Sequence, residues 1–371
     1  MKPANPYAAV DWDASDHVGG YTHVHNRPKP VPEATLETWS SRSSYDVLET
    51  VLHDGTRYSC LQAHDAGSAA EPGNGRRSGE YWGNTKHLRD PFLREPAERK
   101  GIRHFNFTNH VEGAPTTYPL AEYFPEPLPS GVIGTPGHEH ASFGAHWCQI
   151  ANRHEQITGE TYRSLPAMIE AVAAEAIYPD AGGIHLNHSD DPEPLRRAMD
   201  ADPTYVLGLE ILNGKGLLYG AHGDGDYRST WDELLREGPQ CWGFGNPDGY
   251  AIPGERTPCL SREDLYGGDV RNILLVENHT EQAYARAYRD GRFYVSRTGT
   301  LHFEKISFSA DTDRVLVVTD DAQTIRAITD NEVVRAAGPS ATLTVPSDRT
   351  YLRIEAASQD DLLCSQPIRN G

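Results

Sequence analysis

Lysine is scarce in this 371-residue sequence, and acidic residues outnumber basic ones. Only six of the 34 basic residues are lysine, and 53 aspartates and glutamates give a formal net charge of −19 at pH 7. Nucleic-acid phosphate requires a basic protein face, so we expect no nucleic-acid partner. A lysine-poor, acid-rich surface also suggests a halophilic source, because strong salt screening weakens self-repulsion.

Paired cysteines and long apolar runs are also missing. The five cysteines are odd in number and contain no C-x-x-C pair, so neither a disulfide framework nor a zinc ribbon is indicated. No apolar run approaches the roughly 18 residues that a membrane span requires. The first residues lack the apolar core of a signal peptide. We therefore expect a soluble, cytoplasmic protein without a membrane partner.

The motifs of several common enzyme classes are absent as well. The sequence contains no G-x-S-x-G nucleophile motif and no Walker-type G-x-x-x-x-G-K-[ST] loop. No cysteine lies in the sequence context of a nucleophile. Serine, cysteine and phosphate-loop chemistry are therefore disfavoured.

A histidine pair ends the first predicted strand. In the run Thr22-His23-Val24-His25, side chains alternate between the two faces of the strand, so His23 and His25 point the same way. Two imidazoles on one face can hold a divalent metal, since histidine is the commonest neutral metal ligand. An isolated H-x-H is a weak signal among 17 histidines, and a surface or core role is its alternative.

Four later segments strengthen the metal interpretation, because each one ends an apolar run with His, Glu or Asp. They are residues 102–110, residues 132–140 with His146 shortly after, residues 184–188, and residues 241–248. Together with the first pair, they give five candidate ligand-bearing strand ends.

Helical patterns separate these segments. Apolar spacing predicts helices over residues 166–178, 192–199, 229–236 and 280–289, and a weaker helical pattern covers residues 35–52. Regular alternation of strand and helix favours parallel strands with right-handed crossovers. In a barrel of that kind, the active site lies at the carboxyl ends of the strands, where all five segments fall. From about residue 302, short β-rich runs without a convincing helix predict a small antiparallel sandwich.

The order of the motifs resembles a known superfamily. They read T-H-V-H, F-T-N-H, P-G-H-E-H with G-A-H-W, L-N-H-S and G-N-P-D-G-Y. This set is similar to the PHP (polymerase and histidinol phosphatase) superfamily of metal-dependent phosphoesterases, over roughly residues 19–300. The resemblance implies a distorted (β/α)7 TIM-like barrel over residues 1–301, with a long irregular insertion at about 64–100. Residues 302–371 resemble the small β-domain, an antiparallel β-sandwich, that ends many longer members.

The resemblance also implies a binuclear metal centre. Carried over residue by residue, it assigns the first metal to His23, His25, Glu139 and Asp248, and a second metal to Glu139, His146 and His188. Imidazoles and carboxylates suit Zn, Mn or Fe, and a bridging carboxylate lets two cations lie about 3.5 Å apart. We therefore expect two divalent transition metals per chain.

The sequence departs from the family at a third metal site. The stretch after His25 is rich in proline, Thr108-Asn109-His110 replaces T-D-H, and Asp248-Gly249-Tyr250 replaces D-x-H. His110 is the clear survivor of that site, with Glu33 or Glu37 as uncertain substitutes. We therefore expect two metals, with His110 near the substrate as an acid or hydrogen-bond donor.

The segment His138-Glu139-His140 allows two interpretations. On a strand, Glu139 faces away from its two neighbours, so either the glutamate or the histidines face the metals. The resemblance selects Glu139.

Four other polar residues near these segments have secondary roles. We expect His185 to be structural. We expect His64 to be an exposed loop residue, with an extra ligand pair formed by His64 and Asp65 as the alternative. Glu210 and Asn213 end a strand at the height of the metals, where an orienting role and a plain structural role are equally consistent.

The resulting hypothesis is hydrolysis of a phosphorylated small molecule. Two cations would lower the pKa of a bridging water and give hydroxide near neutral pH. Asp248 would belong to the catalytic set, and His110 would protonate the leaving oxygen. Arg297 is a candidate clamp for the phosphate, and Tyr250 and Asn109 are further candidate substrate-binding residues.

Two alternatives keep the metals and change the function. In one, the same metal hydroxide hydrolyses a non-phosphate ester, an amide or a lactone. In the other, the protein binds metal and ligand without catalytic activity.

Overall fold

Strands dominate the chain, which a computed structural model shows as a mixed α/β protein with one large sheet and three small ones. The structure describes residues 2–25, 37–45, 50–54, 56–60, 64–78, 82–84, 97–98, 100–110, 128–153, 162–220, 223–250 and 270–369. No helix in these ranges has both the length and the apolar character that crossing a membrane requires.

The strands and helices follow one another in this order. The strands are β1 (Asp16–His25), β2 (Glu37–Thr38), β3 (Ser44–Tyr45), β4 (Thr50–His53), β5 (Thr56–Cys60), β6 (His64–Asp65), β7 (Trp82–Asn84), β8 (Ile102–His110), β9 (Ile133–Ser142), β10 (Ala145–Ile150), β11 (Gly183–Leu186), β12 (Val206–Asn213), β13 (Trp242–Asn246), β14 (Gly249–Tyr250), β15 (Arg271–Val276), β16 (Phe293–Ser296), β17 (Phe303–Ser309), β18 (Arg314–Thr319), β19 (Thr324–Thr329), β20 (Val333–Ala337), β21 (Ser340–Thr344), β22 (Tyr351–Ala357), β23 (Leu362–Ser365) and β24 (Ile368–Arg369). The helices are α1 (Leu165–Ala174), α2 (Glu193–Ala201), α3 (Gly214–Tyr219), α4 (Arg228–Arg236) and α5 (Glu281–Asp290).

The large sheet is open and mixed. Its strand order is β13-β12-β11-β10-β9-β8-β1-β15-β16-β23-β22-β19-β20, with β14 beside β1 and β24 beside β22. Strands β1, β8 and β9 are parallel neighbours, as are β11, β12 and β13. Strand β10 is antiparallel to both β9 and β11, and β15 is antiparallel to β1. The predicted closed TIM-like barrel of parallel strands is therefore not what the structure shows.

A tight turn explains the first departure from parallel order. Only Phe143 and Gly144 separate β9 from β10, whose ends pair at Ser142 and Ala145. Both turn residues have positive φ, 55° at Phe143 and 77° at Gly144, which is the backbone of a two-residue hairpin. A parallel crossover needs a dozen or more residues, so a two-residue link makes these strands antiparallel.

Side-chain amides satisfy the backbone of β13 at the edge of the sheet. Gln366 accepts from the Gly243 N–H at 2.8 Å and donates to the Gly243 carbonyl at 2.8 Å. Asn272 does the same for Gly245, at 3.0 Å and 2.9 Å. Buried backbone groups need such partners, and these amides supply them where a closed barrel would have a strand ladder.

The helix predictions are confirmed except for one. Helices α1, α2, α4 and α5 coincide with the four predicted segments, although α1 ends four residues before the predicted boundary at 178. Ser164 caps α1 and Thr280 caps α5, each through a side-chain oxygen that accepts a backbone N–H. The weak helical prediction over residues 35–52 is wrong, because the described part of that range contains strands β2, β3 and β4.

The predicted β-rich tail is confirmed, and it joins the large sheet. Strands β17, β18 and β21 form a separate antiparallel sheet, whereas β19, β20, β22, β23 and β24 extend the main ladder. The join is the antiparallel pairing of β16 with β23, in which Tyr294 lies opposite Ser365. The predicted domain boundary at 301/302 stays a prediction, as does the insertion at 64–100, much of which lies outside the described residues.

A buried charge network fastens α4 to the C-terminal strands. Glu355 on β22 accepts from Arg228 at 2.9 Å, from Arg353 at 2.7 Å and from Arg326 at 2.9 Å. Arg353 also donates twice to Asp232 on α4, at 2.7 Å each. Burial opposes ionisation of Glu355, but the three guanidinium groups outweigh it and lower the pKa of this carboxyl.

Replacing Glu355 with glutamine is expected to destabilise the protein by about 3 kcal/mol at pH 7, because removing one partner of a buried ion pair leaves charge uncompensated. A folded-state pKa below the unfolded value of about 4.3 stabilises the protein above that pH, and the gain is lost as the pH falls through the folded value. The difference in unfolding free energy between wild type and Glu355→Gln should therefore shrink in acid.

Urea unfolding at pH 7 and pH 3.5 measures this difference, with Glu304→Gln, at an exposed position, as the control. Equal unfolding midpoints of wild type and Glu355→Gln at pH 7 would contradict the expectation.

Candidate metal centre

The structure places the six predicted metal ligands close to one another. They are His23 and His25 at the end of β1, Glu139 on β9, His146 at the start of β10, His188 after β11 and Asp248 after β13. His188 and Asp248 have positive φ, 23° and 47°, as the chain turns out of the preceding strand. The turns direct both residues back towards the end of β1.

Glu139 lies at the centre of this cluster. Its Oε1 is 2.9 Å from Nδ1 of His146 and 3.3 Å from Nε2 of His188. Its Oε2 is 3.3 Å from Nε2 of His23 and 3.3 Å from Nε2 of His25. The carboxylate is buried, and each of its oxygens faces a separate pair of imidazoles.

Asp248 completes the side of the cluster that holds the first histidine pair. Its Oδ1 lies 3.3 Å from Nε2 of His23 and 3.4 Å from Nε2 of His25, while the two Nε2 atoms are 3.2 Å apart. Three overlapping triplets have ligand atoms within 4.8 Å of one another: His23 with His25 and Glu139, His23 with His188 and Asp248, and Glu139 with His146 and His188. Nitrogen and oxygen atoms that converge in this way fit a divalent transition metal.

Electrostatics balance the buried charges of the cluster. Burial opposes the imidazolium of His23, but the carboxylates around it, among them Asp248, Glu210 and Glu139, raise its pKa well above the ordinary value. Burial also opposes ionisation of Asp248, but His23, His25 and Lys215 lower the pKa of this carboxyl. A histidine ligates a metal through a neutral ring, so the affinity of this cluster for a cation is expected to depend on pH.

The structure describes only the backbone of three predicted substrate-side residues. The strand register sets His110 opposite Glu139 and Asn109 opposite His138, and it pairs Tyr250 with His25. Their side chains lie outside the described part of the chain. Glu33 lies wholly outside it, and so does the side chain of Glu37.

Arg297 follows β16 and is exposed. Its backbone N–H donates to the Leu362 carbonyl at 3.0 Å. The described contacts do not bring its side chain to the cluster.

The neighbouring histidines take other positions. Glu139 contacts the cluster, while His138 and His140 are buried residues on either side of it in β9. His185 is buried and stacks on the ring of Phe244 with centroids 4.4 Å apart, and burial lowers its pKa to about 4. His64 lies half-buried in β6, with its ring centroid 5.1 Å from that of Trp82, rather than in an exposed loop.

Three polar residues near the cluster were missed or left open by the sequence. Asn187 donates to Oε1 of Glu139 at 3.0 Å, and its position beside His188 in L-N-H-S was the signal for it. Glu210 accepts from Nδ1 of His23 at 2.7 Å, which favours the orienting role over the plain structural one. Lys215, in the G-K-G that follows β12, is half-buried and contributes positive charge near Asp248.

Comparisons with known proteins give one distant likeness. No family model matches the chain, and no curated protein matches it. One solved structure that does match is a two-domain protein containing a predicted PHP-like metal-dependent phosphoesterase from Bacteroides vulgatus ATCC 8482. The identity is 14%, the match covers 72% of this chain and 82% of that chain, and the TM-score is 0.37. A likeness this distant leaves the function to be inferred from the chemistry of the cluster.

Proposed function

We propose that this protein is a metal-dependent hydrolase of phosphate esters that uses two divalent cations per chain. The observation that carries the proposal is Glu139, whose Oε1 faces His146 and His188 while its Oε2 faces His23 and His25. A carboxylate with ligands on both sides can be shared by two cations. The order of the motifs, which resembles the PHP superfamily, favours a phosphate ester as the bond that is cleaved.

The residues divide into two ligand sets around this carboxylate. His23, His25 and Asp248 would hold one cation, and His146 and His188 the other, with Zn, Mn and Fe all suited to such ligands. Divalent cations held there supply Lewis acidity, which polarises a phosphoryl group and makes a water molecule acidic near neutral pH. The protein would fix the positions of these groups before the substrate arrives.

Solvent reaches the cluster from the side of the second ligand set. The side chain of His146 is 30% exposed and that of His188 is 8% exposed, whereas His23 and His25 are fully buried. A small phosphorylated substrate would therefore approach past His146. This approach leaves the first ligand set in the buried interior, where electrostatic interactions are strongest.

His110 is the proposed donor of a proton to the leaving oxygen. The register of β8 against β9 supports this role, because it sets the backbone of His110 opposite Glu139. A histidine suits general acid chemistry, since its ordinary pKa lies near neutral pH. Asn109 and Tyr250, whose backbones lie beside His138 and His25, are proposed to contact the substrate.

Lys215 is a better candidate than Arg297 for the cation that binds the phosphate. Its backbone N–H donates to the Pro247 carbonyl at 3.1 Å, which fixes the start of α3 beside Asp248. Asn213 reinforces this position, because its side chain accepts from the Gly216 N–H at 2.9 Å and donates to Asp248 at 3.4 Å. Lys215 is half-buried and its charge acts on Asp248, so we propose that its ammonium binds the phosphate of the substrate.

Replacing Lys215 with alanine is expected to raise KM for a phosphate ester by about tenfold or more with a smaller change in kcat, because a hydrogen bond to a charged group contributes about 1.5–3 kcal/mol. Arg297→Ala removes a cation of the same sign at the exposed position and should change KM less than Lys215→Ala. Steady-state kinetics of both variants on one substrate measure the difference. The reverse ranking would assign the phosphate to Arg297.

The reaction class is tested by two substrate panels in high-salt buffer. Purified protein is stripped of metal, reloaded with Zn, Mn or Fe, and assayed for phosphate release from small phosphate monoesters. A parallel panel contains non-phosphate esters, amides and lactones. Metal-dependent phosphate release is the expected result. Hydrolysis of the second panel alone would change the substrate class, and no turnover in a metal-loaded protein would leave a binding protein.

A further inference from the structure

We infer that Glu210 is a positioning residue of the candidate metal centre. Its hydrogen bonds fix the ring of His23 and the backbone of His188. The inference rests on the proposed function, because it concerns residues that would ligate the two cations. Glu210 lies on β12 and is fully buried. Its two oxygens serve opposite sides of the cluster.

Oxygen Oε1 sets the orientation of His23. It lies 2.7 Å from Nδ1 of His23 and accepts from Nδ2 of Asn246 at 3.0 Å. A carboxylate beside Nδ1 holds the ring proton there, so the lone pair of Nε2 remains for a metal. That Nε2 atom is the one that faces Glu139 and Asp248 at 3.3 Å.

Oxygen Oε2 holds the turn that carries His188. It accepts from the His188 backbone N–H at 3.0 Å and from Nδ2 of Asn213 at 3.0 Å. His188 has a φ of 23°, a conformation that a residue with a side chain adopts only when surrounding contacts impose it. The hydrogen bond from Glu210 is such a contact, and it keeps Nε2 of His188 facing Glu139.

The surroundings of Glu210 require an acceptor at both oxygens. Four groups donate to it, namely the His23 ring, the Asn246 amide, the His188 N–H and the Asn213 amide. Asn246 connects Glu210 to the backbone of β1, because its Oδ1 accepts from the backbone N–H groups of Thr22 and His23 at 2.7 Å and 3.1 Å. A glutamine at position 210 has the same shape, but its NH2 group would meet two donors.

Glu210 acts through other residues rather than as a ligand. Among the described residues, the triplets whose ligand atoms converge within 4.8 Å do not include it. Its charge and geometry bear instead on His23, which belongs to two of those triplets, and on His188, which also belongs to two. Loss of such an orienting partner typically lowers metal affinity by about 10–100-fold.

The test is a Zn²⁺ titration of metal-free wild type and Glu210→Gln by calorimetry. The matched control is Asp361→Asn, which changes another buried carboxylate that accepts several hydrogen bonds. Asp361 accepts from the Ser296 hydroxyl at 2.8 Å, from the Thr298 and Thr300 N–H groups at 2.9 Å each, and from the Leu301 N–H at 3.0 Å. We expect Zn²⁺ affinity to fall by about 10–100-fold in Glu210→Gln and to stay within threefold of wild type in Asp361→Asn. Wild-type affinity in a folded Glu210→Gln protein would overturn the inference.

The same titration separates this inference from the proposed function. The titration is repeated with Mn²⁺ and Fe²⁺. If wild type binds none of the three ions, the proposed function fails. If wild type binds one of them and Glu210→Gln binds it equally well, the positioning role alone fails. Should Glu210→Gln not fold, nitrogen NMR of the ring of His23 in metal-free wild type, at a pH where the ring is neutral, decides. A proton on Nδ1 supports the inference, and a proton on Nε2 overturns it.

Discussion

Replacing Glu139 with glutamine is expected to reduce metal-dependent phosphate release by more than roughly 100-fold. Loss of a residue that only orients a ligand lowers activity by up to about that factor. Glutamine keeps the size of the side chain but removes the negative charge, and it offers only one acceptor oxygen where two imidazole pairs now face a carboxylate. Both ligand sets would lose their shared member, whereas loss of His25 or His146 would damage one set. Phosphate release per folded molecule, with metal in excess, measures the effect.

A matched control for this variant is Glu355→Gln. It makes the same chemical change at a buried carboxylate that contacts Arg228, Arg326 and Arg353 instead of the histidines. We expect this control to lose stability but to retain wild-type turnover in its folded fraction. Full activity in Glu139→Gln, or equal losses in both variants, would remove Glu139 from the centre of the proposed site.

The second large effect is expected from Asp248→Asn, with kcat falling by about 10²–10³-fold, comparable to loss of one group that stabilises a transition state. Asp248 lies 3.3 Å from His23 and 3.4 Å from His25, so its charge would serve the first cation directly. Asparagine tolerates the positive φ of 47° at this position, so the fold should be retained. Steady-state kinetics together with a circular dichroism spectrum measure turnover and folding.

This variant also separates an enzyme from a binding protein. An enzyme loses turnover when Asp248 loses its charge, whereas a protein that only binds metal and ligand has no turnover to lose. Unchanged kcat in folded, metal-loaded Asp248→Asn would exclude Asp248 from the catalytic set.

Strand periodicity explains why the ligands could be selected from the sequence. Side chains alternate along a strand, which predicts that His23 and His25 share a face and that Glu139 faces away from His138 and His140. The structure brings His23, His25 and Glu139 together. The same rule could not choose between Glu139 and its two neighbours, and the resemblance of the motif order made that choice.

The sheet could not be derived in the same way, because the hydrophobic pattern of a strand does not record the direction of its neighbour. Alternating strands and helices favoured an all-parallel barrel, but the short link through Phe143 and Gly144 makes β9 and β10 antiparallel. The amides of Asn272 and Gln366 then bond the backbone of β13, which pairs with β12, without a second backbone ladder. Single asparagines and glutamines give no periodic signal, so such bridges are invisible in the sequence.

The polar residues that orient the ligands could be predicted only in part, since the sequence left the roles of Glu210 and Asn213 open and gave no signal for Asn246. Glu210 and Asn213 lie on the same strand, β12, and Asn246 joins them only when β12 and β13 pair. Their roles depend on which atoms face His23 and His188, and residue spacing does not determine this. The positions of the ligands at strand ends could be predicted from the sequence, but the hydrogen bonds that orient His23 and His188 could not.

Metal content per chain tests the central claim most directly. Wild type and Glu139→Gln are purified in high-salt buffer, incubated with Zn, Mn or Fe, desalted, and measured by elemental analysis against protein concentration. The account predicts two bound ions per wild-type chain and fewer than one in Glu139→Gln. A folded wild-type protein that retains none of these metals would contradict it.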